Sequence, residues 1–479
     1  MFTRYPSSPK PLCPIITPIT LNSMSCSYPV LKSHKFSIPI CSLVAKSPTL
    51  TYPVHKSQKF SNSIPISPLV LNSPTLTYPV DKVTTLVPKF SINCEYQTER
   101  GLEFDTGGAF YRQESATGRD LGVLAASLHK KSNGSLRVLD ALCGCGIRSL
   151  RYLAEAEADF VVANDGNDFY GSTIAENLSR AMKGEWLVTH LEANRVMTDY
   201  YMQKTFFDFI DVDSFGSDSS FLRSAMNALR YGGLLYVTST DGLSSGGHLP
   251  HHSLASYGAY VRRLPYSNEI GLRMLIGGAA REAAVLGCHV TPLFSYYAYH
   301  GPVFRVMLRL IRGKVHDSRH YGYIGFCNQC GNSHEFSWDE LGQMSCSCSM
   351  PEVSKSLSVS GPLWTGPLHD AAYLTDMLNL AKQWGWVGCD TKENSLEKLI
   401  KLMVDESDPK LPFGYIKLDQ LASRAKINSP PLKTFMSAIL KKGYAASRSH
   451  IETNAIKTNC PMTECIIIAK ELMQLSIAS

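Results

Sequence analysis

Near-continuous apolar runs separated by polar, helix-like stretches organise the chain from residue 136 onwards. Such runs, rich in Val, Ile, Leu and Phe, are typical of parallel strands buried on both faces. Five of them predict strands, at 136–142, 159–165, 186–193, 206–213 and 233–241. Two more runs, at 288–299 and 302–313, predict an antiparallel pair that closes the sheet.

The intervening segments carry apolar residues at helical spacing. They predict helices beginning near residue 120 and covering 147–157, 168–182, 217–229 and 268–286. Strands alternating with helices predict an α/β fold whose sheet is covered on both faces. Beyond residue 320, helices at 368–384 and 396–404 precede a stretch that resembles a winged helix or helix-turn-helix, which indicates a smaller C-terminal α+β domain.

The N-terminal segment has a different composition. Residues 1–80 contain no Asp or Glu, seven Lys or Arg, and half of the 26 prolines, and the octapeptide SPTLTYPV occurs at 47–54 and again at 73–80. Proline and serine at this density predict disorder. An acid-free, Ser-rich and Arg-poor segment is typical of a plastid transit peptide, so we expect residues 1–85 to direct the chain to the chloroplast, with mitochondrion or nucleus as alternatives.

Charge and hydropathy narrow the function classes. The formal net charge is +6, and the N-terminal segment supplies +7 of it, so residues 81–479 sum to −1. Nucleic-acid binding, if present, must therefore depend on local patches. No apolar run approaches the ~20 residues of a membrane helix, so no membrane association is expected. No obligate protein partner is inferred.

Polar residues stand where the predicted strands end, which is where sheets of this kind bind ligands. Asp140 ends the first strand, and Gly144 and Gly146 precede a helix, so the backbone there can approach a ligand closely. Asp165 ends the second strand, where a carboxylate can accept hydrogen bonds from both hydroxyls of a ribose. Glu192 follows the third, either beside an adenine or as a solvated surface residue.

The fourth strand ends in the sequence DVDSFG. Strand alternation places Asp211 and Asp213 on one face, and the chain must turn after Asp213. A carboxylate beside Phe215 fits a site that stacks an aromatic base and accepts a hydrogen bond from its amine. Alternatively, Asp213 caps the following helix.

Two clusters elsewhere in the sequence suggest further binding chemistry. Upstream of the sheet, Phe110 and Arg119 belong to an aromatic and basic set that suits either a base with a charged cofactor or ordinary packing. Four cysteines at two closely spaced pairs predict a tetrahedral structural zinc site, with His334 as a possible replacement ligand. They are Cys327, Cys330, Cys346 and Cys348.

Taken together, the motifs resemble those of the tRNA (guanine-N2)-dimethyltransferase family over residues 99–470. They include FYRQESATGRDL, LDALCGCGIRSLRY, DVDSFGS, GGLLYVTSTD, GPLWTGPLHD and SRSHIETNAIKTNCP. The resemblance implies a Rossmann-like seven-stranded methyltransferase sheet over 95–315 and a zinc-containing, tRNA-binding domain over 320–475. It also implies S-adenosylmethionine as methyl donor and tRNA as substrate.

The resemblance further assigns roles to individual residues. Asp213 would serve the target amine, and Phe110 and Phe215 would stack on the guanine. The implied cofactor contacts are Arg119, Asp140, Gly144, Arg148, Asp165, Glu192 and Ala193.

Three departures from the family pattern affect the expected activity. Ser214 stands where the family has proline, Arg112 and Gln113 replace an Asn-Pro pair, and GLSSGG at 242–247 replaces bulkier residues.

The leading function is N2-methylation of a tRNA guanine, giving N2,N2-dimethylguanosine; the alternative is a noncatalytic tRNA-binding or chaperone protein on the same scaffold. Six basic residues in the C-terminal part either contact RNA phosphates or form a solvated surface: Lys426, Lys433, Lys441, Lys442, Arg448 and Lys457.

Overall fold

The structure, a computed structural model, describes residues 96–313, 320–348, 356–388 and 395–478. The segment predicted to be a transit peptide lies outside these residues. The described ranges belong to one compact unit. The predicted division of this unit near residues 315–320 stays a prediction.

Fifteen strands and thirteen α-helices are present in the described ranges. The strands are β1 (Tyr96–Glu99), β2 (Leu102–Asp105), β3 (Arg137–Asp140), β4 (Phe160–Asn164), β5 (Glu185–Thr189), β6 (Phe207–Asp213), β7 (Leu229–Ser239), β8 (Cys288–Ala298), β9 (Val303–Arg312), β10 (Tyr321–Cys327), β11 (Ser333–Phe336), β12 (Leu357–Trp364), β13 (Ile416–Lys417), β14 (Ala446–Arg448) and β15 (Ala455–Thr458).

The helices are α1 (Ala116–Asn133), α2 (Ile147–Ala154), α3 (Gly171–Ser179), α4 (Ala193–Met202), α5 (Leu222–Ala228), α6 (Gly242–Ser245), α7 (Pro250–Tyr257), α8 (Ser267–Val285), α9 (Ala371–Gln383), α10 (Ser395–Asp405), α11 (Leu418–Ala425), α12 (Leu432–Lys441) and α13 (Met462–Ala478).

A seven-stranded sheet with the order β5-β4-β3-β6-β7-β9-β8 forms the centre of the fold. Pairing is parallel from β5 to β7, whereas β9 runs antiparallel to both β7 and β8. The predicted mostly parallel sheet and its closing antiparallel pair are therefore confirmed. Because β3, β4, β6 and β7 end at the same edge, the polar residues at their tips are brought together there, and we call this the catalytic edge.

The boundaries of some elements differ from the sequence-based prediction. The run at 186–193 does not stay a strand: β5 ends at Thr189, and Glu192 caps α4 by accepting a hydrogen bond from the Arg195 backbone N–H. Helix α1 begins at Ala116, four residues before the predicted start. The hairpin of β1 and β2 has no counterpart in the prediction, since each strand has only four residues and no extended apolar run.

The two faces of the sheet are covered by different helices. Helix α8 packs so closely on β9 that a Cβ at Gly271 would lie 2.3 Å from the ring of Phe304. On the other face, α1 shares a hydrophobic cluster with α9 and α10, in which Leu124, Leu374 and Ile400 are fully buried. Helices from the C-terminal part thus complete the core over the sheet.

The C-terminal part also contains two small antiparallel sheets. One has the order β11-β10-β12 and carries the cysteine cluster at the end of β10. The other, β13-β15-β14, packs with α11 and α12 in the order strand, two helices and hairpin that a winged helix has. Across the described ranges, none of the helices combines the length and apolar character needed to cross a bilayer.

Candidate active site at the catalytic edge

Strand register aligns Asp213, Thr238 and Arg305 in one row at the catalytic edge. Asp213 of β6 pairs with Thr238 of β7, and Thr238 pairs with Arg305 of β9. Arg305 is 2% exposed, and Arg148, at the start of α2, is 4% exposed. The Asp213 side chain keeps 26% of its surface exposed. The row therefore presents one carboxylate to solvent between two buried guanidinium groups.

The carboxylate of Asp213 is held on both oxygens. Arg148 donates to Oδ2 through Nε at 3.0 Å and Nη2 at 2.6 Å, and Arg305 Nη2 donates to Oδ1 at 3.3 Å. Burial opposes ionisation of Asp213, but the two guanidinium groups outweigh it and hold its pKa well below the usual range. Asp213 is therefore an anion at neutral pH. The hydrogen bond from Arg305 to Oδ1 is long, so this oxygen retains capacity to accept another.

Two further carboxyl groups lie behind Asp213 and are fully buried. Asp211 Oδ2 accepts from Arg148 Nη1 at 3.0 Å and from the Tyr152 hydroxyl at 2.6 Å, and Asp140 Oδ2 accepts from the Ser149 hydroxyl at 2.7 Å. Burial raises the pKa of both, and the neighbouring Asp211 helps to raise that of Asp140 to about 8. Since Arg148 binds both Asp211 and Asp213, the two lie on one face of β6 as predicted, but Asp211 has no access to a ligand.

The glycine turn between β3 and α2 is held by Asp165. The Gly144 N–H donates to Asp165 Oδ2 at 2.9 Å, and Oδ1 accepts from the Asn167 N–H at 3.0 Å. Gly144 has a φ of +57°, and a Cβ there would meet nothing within 4 Å. The left-handed backbone therefore favours glycine, and the space above the turn is open to a ligand.

The remaining predicted cofactor residues have well-defined local partners. Glu192 is exposed at the start of α4, while Ala193 is buried below it. Arg119 is 5% exposed, and its Nε and Nη2 donate to both oxygens of Glu99 at 2.5–3.0 Å. Burial disfavours the charge on Glu99, but Arg119 and Arg151 outweigh this and lower its pKa to about 2. Arg119 is thus neutralised within the protein, so its role towards a cofactor stays a prediction.

Phe110 and Phe215 meet at the mouth of the site. They are 62% and 74% exposed, and their ring centroids lie 5.1 Å apart at an interplanar angle of 78°. A base stacked between two parallel rings needs them about 7 Å apart, twice a carbon contact distance. The structure therefore brings the predicted pair together, but they must separate and rotate before a guanine can lie between them. The Arg112 guanidinium lies 5.4 Å from the centroid of the Phe110 ring.

The turn that carries Phe215 is anchored to the end of β7. The Ser214 hydroxyl donates to the Thr238 carbonyl at 2.9 Å, the Gly216 N–H donates to the Thr240 hydroxyl at 2.7 Å, and the Ser239 hydroxyl donates to the Gly216 carbonyl at 2.8 Å. Ser214 thus fixes by a hydrogen bond the turn that the family pattern fixes with proline.

Behind this turn lies a buried Asp218. Its Oδ1 accepts from the Tyr257 hydroxyl at 2.8 Å, while the Ser217 hydroxyl donates to Tyr257 at 2.9 Å. Burial raises the pKa of Asp218 to about 7. This group connects the turn to α7.

The glycines of the 242–247 segment are explained by close approach. A Cβ at Gly242 would lie 2.7 Å from Pro302, and one at Gly247, whose φ is +69°, would lie 2.4 Å from the backbone of Arg262. Larger residues would displace the segment, so the small residues suit the packing of this loop.

The four cysteines converge as predicted. The Sγ atoms of Cys327 and Cys348 lie 3.6 Å apart, those of Cys330 and Cys346 lie 3.5 Å apart, and four ligand atoms lie within 4.8 Å of one another. Tetrahedral zinc with Zn–S bonds of about 2.3 Å requires sulfur separations of about 3.8 Å. The cluster therefore fits the ion. His334 Nε2 lies 3.1 Å from the Cys346 Sγ, so this histidine is close enough to be an alternative ligand.

One residue of the predicted basic surface is not on the surface. Lys457 is 4% exposed, and its Nζ donates to Glu269 Oε2 of α8 at 2.5 Å. Assigning Lys457 to an RNA-binding patch was therefore wrong, because a strand residue surrounded by core was taken as solvated. Lys442 is partly neutralised by Glu471 at 3.3 Å.

Sequence reasoning missed several residues that shape the site. They are Glu99, Tyr152, Asp218, Tyr257 and Arg305. Arg305 lies on an antiparallel strand whose register cannot be read from its own apolar pattern. Glu99 and Asp218 lie in short segments without periodicity, and no local signal indicated their partners.

The amino-acid sequence of this chain is similar to those of known tRNA methyltransferases. A family model described as N2,N2-dimethylguanosine tRNA methyltransferase matches residues 91–470. The tRNA (guanine(26)-N(2))-dimethyltransferase of Saccharolobus solfataricus is 30% identical over 380 residues, which cover 78% of this chain and 94% of that protein. The enzyme of the same description from Schizosaccharomyces pombe is 32% identical over 346 residues, or 68% of this chain and 61% of that protein.

A solved structure is also similar. The complex of Trm1 from Pyrococcus horikoshii with S-adenosyl-L-methionine superposes with a TM-score of 0.65 at 26% identity, covering 78% of this chain and 99% of that one.

Proposed function

Because the chain belongs to the N2,N2-dimethylguanosine tRNA methyltransferase family, we propose that it transfers methyl groups from S-adenosylmethionine to the exocyclic N2 of a guanine in tRNA. The names of its relatives indicate position 26 as the target. The similarity supports the enzymatic function rather than the noncatalytic alternative. The observation that carries the proposal is the ionised Asp213, partly exposed between Arg148 and Arg305 and two residues from Phe215.

S-Adenosylmethionine, when bound, supplies an electrophilic methyl group on a sulfonium. The open glycine turn at Gly144 and the carboxylate of Asp165 are the groups we assign to holding it. Asp165 would then accept hydrogen bonds from the ribose in place of one of its present backbone donors. Arg148, in the first turn of α2 directly after the glycine turn, binds Asp213 and would so hold the acceptor carboxylate beside the cofactor site.

Asp213 acts on the target amine. The lone pair of N2 is delocalised into the guanine ring, which makes the amine a poor nucleophile. An N–H···Oδ1 bond to Asp213 favours a pyramidal nitrogen whose lone pair faces the methyl group. As the N–C bond forms and the C–S bond breaks, the nitrogen becomes strongly acidic, and its proton passes to Asp213 or through it to water. Repetition with a second cofactor gives the dimethylated base.

Phe110 and Phe215 supply the base-binding surface. The guanine of a folded tRNA is stacked and must leave its stack to reach Asp213, which costs a few kcal/mol. Stacking on an aromatic ring returns about 1–3 kcal/mol. Separating the two rings opens the place for the base at the mouth of the site.

Replacing Asp213 by Asn tests its role with a nearly isosteric side chain. We expect kcat for methyl transfer to unmodified tRNA to fall about 10²- to 10⁴-fold, since proton transfer contributes that much. Binding of S-adenosylmethionine, measured by calorimetry, should be retained. Asp199→Asn, an exposed acid on α4, is the matched control. Turnover of the Asp213 variant at the wild-type rate would refute the assignment.

We also propose that the cysteine cluster binds one structural zinc ion. All four thiolates would be ligands, which leaves no coordination position for catalysis. The fit of the sulfur separations to a tetrahedral site supports this. Chloroplast targeting stays a prediction from the composition of residues 1–80 alone.

A further inference from the structure

A segment of unusual charge comes directly after β7 and the Thr240–Asp241 tip. Between Asp241 and Glu269 the sequence contains no acidic residue, but it contains two arginines and three histidines. All five are exposed, and with the half-buried Tyr260 they define what we call the His–Arg surface: His248, His251, His252, Tyr260, Arg262 and Arg263. Residues 81–479 as a whole are nearly neutral, so this local excess of donors and positive charge is not a general property of the chain.

The His–Arg surface begins where the Phe215 turn is anchored. The Gly216 N–H donates to the Thr240 hydroxyl, and the Thr240 N–H donates back to the Gly216 carbonyl at 2.8 Å. Helix α7 then starts at Pro250, and its Tyr257 hydroxyl contacts Ser217 of the same turn. The segment that carries the surface is thus attached to the Phe215 turn both before α7 and at the end of α7.

The arginines have few internal partners. The Arg262 guanidinium lies 6.0 Å from the Tyr260 ring centroid, and Arg263 Nη2 lies 3.1 Å from His248 Nδ1. Within the described ranges, neither arginine forms an ion pair. A neighbouring carboxylate, Asp241, is 3.4 Å from His252 Nδ1. The two guanidinium groups therefore keep most of their donors available to an external anion.

The backbone beneath the surface is fixed. Tyr260 and Gly361 of β12 exchange two backbone hydrogen bonds of 3.0 Å, and the Arg262 N–H donates to the Ser360 hydroxyl at 2.8 Å. Gly247 lies directly against Arg262. Binding a ligand here would order side chains without ordering the backbone, which lowers its entropic cost.

We propose that the His–Arg surface binds the sugar-phosphate backbone of the nucleotides beside the target guanine. Guanidinium groups match phosphate oxygens in a two-pronged geometry, and histidine ring N–H groups add donors. A tyrosine beside arginine provides a face for an unstacked base. The inference rests on the proposed function, because it names a contact that would place tRNA over Phe215. The surface follows the C-terminal end of β7, the end at which Phe215 also lies.

The test is a double variant, Arg262→Ala with Arg263→Ala, in the full chain. Binding of unmodified tRNA in the presence of S-adenosylhomocysteine is measured by fluorescence anisotropy over a range of salt concentrations. We expect the Kd to rise about tenfold and the slope of log Kd against log salt to fall by about 2, one per lost phosphate contact.

Two further double variants separate a charge effect from a structural one. Lys131→Ala with Lys183→Ala removes two exposed lysines at the N-terminal ends of the strands and should leave Kd and slope unchanged. Arg262→Lys with Arg263→Lys retains the charge and should retain most of the salt slope. An alanine variant with wild-type Kd and slope, or a lysine variant as defective as the alanine one, would overturn the inference.

The proposed function is tested separately in the same assay. If wild-type protein methylates guanine N2 and the alanine variant binds tRNA normally, only the His–Arg surface is refuted, and its partner is then not RNA. If wild-type protein transfers no methyl group to tRNA, the proposed function itself is refuted.

Discussion

At the scale of single residues, the site depends on differences in exposure and pKa among three neighbouring carboxyl groups. Asp140, Asp211 and Asp213 lie close enough to affect one another, yet only Asp213 is partly exposed and paired with two arginines. Burial raises the pKa of Asp140 and Asp211, while Arg148 and Arg305 keep Asp213 ionised. A carboxylate with a low pKa is a weak base, but the methylated amine it serves is a strong acid, so weak basicity suffices.

Asp218 gives a prediction about stability and pH. Burial raises its pKa from 3.8 to about 7, so the folded state binds more protons than the unfolded state between these values. Stability must then decrease as pH rises from about 4 to about 7, and the ionised form stays penalised above that range. Three pKa units correspond to about 4 kcal/mol. The groups facing Asp218 are Tyr257 and the more distant Asp241.

We expect Asp218→Asn to remove this part of the pH dependence. Its amide oxygen can still accept from Tyr257, so thermal unfolding should shift little at pH 5 and to higher temperature at pH 8, relative to wild type. Equal differences at both pH values would show that Asp218 does not titrate in this range.

The residue scale also shows what the sequence could predict. Asp213, Phe215, Gly144 and the cysteines were found because each follows a strong apolar strand or a tight local spacing. Arg305 and Tyr152 were not, because they reach the site through strand register and helix packing, which join positions 59–92 residues apart in sequence. Lys457 was misplaced for the same reason.

At the scale of elements, apolar pattern predicted the seven strands of the large sheet better than the segments between them. Strands buried on both faces leave a continuous signal, whereas α7 has little apolar periodicity and the hairpin of β1 and β2 has four-residue strands. These weakly patterned segments supply Glu99, Tyr257 and the His–Arg surface. The parts that adapt the common sheet to its ligand are thus those with the weakest sequence signal.

The hairpin of β10 and β11, which carries the proposed zinc site, yields a prediction at this scale. Only four residues of β11 pair with β10, and the loop from 337 to 348 has little regular structure, so the metal would supply much of its stability. Cys346→Ser should lower the zinc content from one equivalent to well below one, and a chelator should lower the melting temperature of wild type but not of the variant. Cys288→Ser, at a buried cysteine of β8 that does not belong to the cluster, is the control. Full zinc occupancy in the Cys346 variant would contradict the assigned ligand set.

At the scale of the whole molecule, the described C-terminal residues share a hydrophobic core with the large sheet. Helices α9 and α10 share the hydrophobic cluster of α1, and the strand β15 inserts Lys457 towards α8. Glu269 is fully buried and accepts from Lys457 Nζ, Arg273 Nε and the Gly414 N–H. This junction fixes the C-terminal part to the element that supports β8 and β9.

Breaking the ion pair between Lys457 and Glu269 should lower the free energy of unfolding. Lys457→Met leaves Glu269 with fewer compensating partners, and removing one partner of a buried pair costs about 3–5 kcal/mol. We expect a large fall in the free energy of unfolding by urea. Lys457→Met combined with Glu269→Gln should recover part of it. Lys433→Met, an exposed lysine of α12, should have almost no effect. Equal stability of the Lys457 and Lys433 variants would show that the junction does not depend on this ion pair.

The contact between Phe110 and Phe215 has a consequence for how much of the RNA the protein needs. With the rings touching, the free protein fills its own binding place, and any nucleoside must first displace one ring from the other. For free guanosine, stacking of its base is the main favourable interaction that can compensate for separating the rings. A whole tRNA can draw on distant phosphate contacts, so the shape of the RNA, more than the identity of one base, decides whether the methyl donor ever meets an amine.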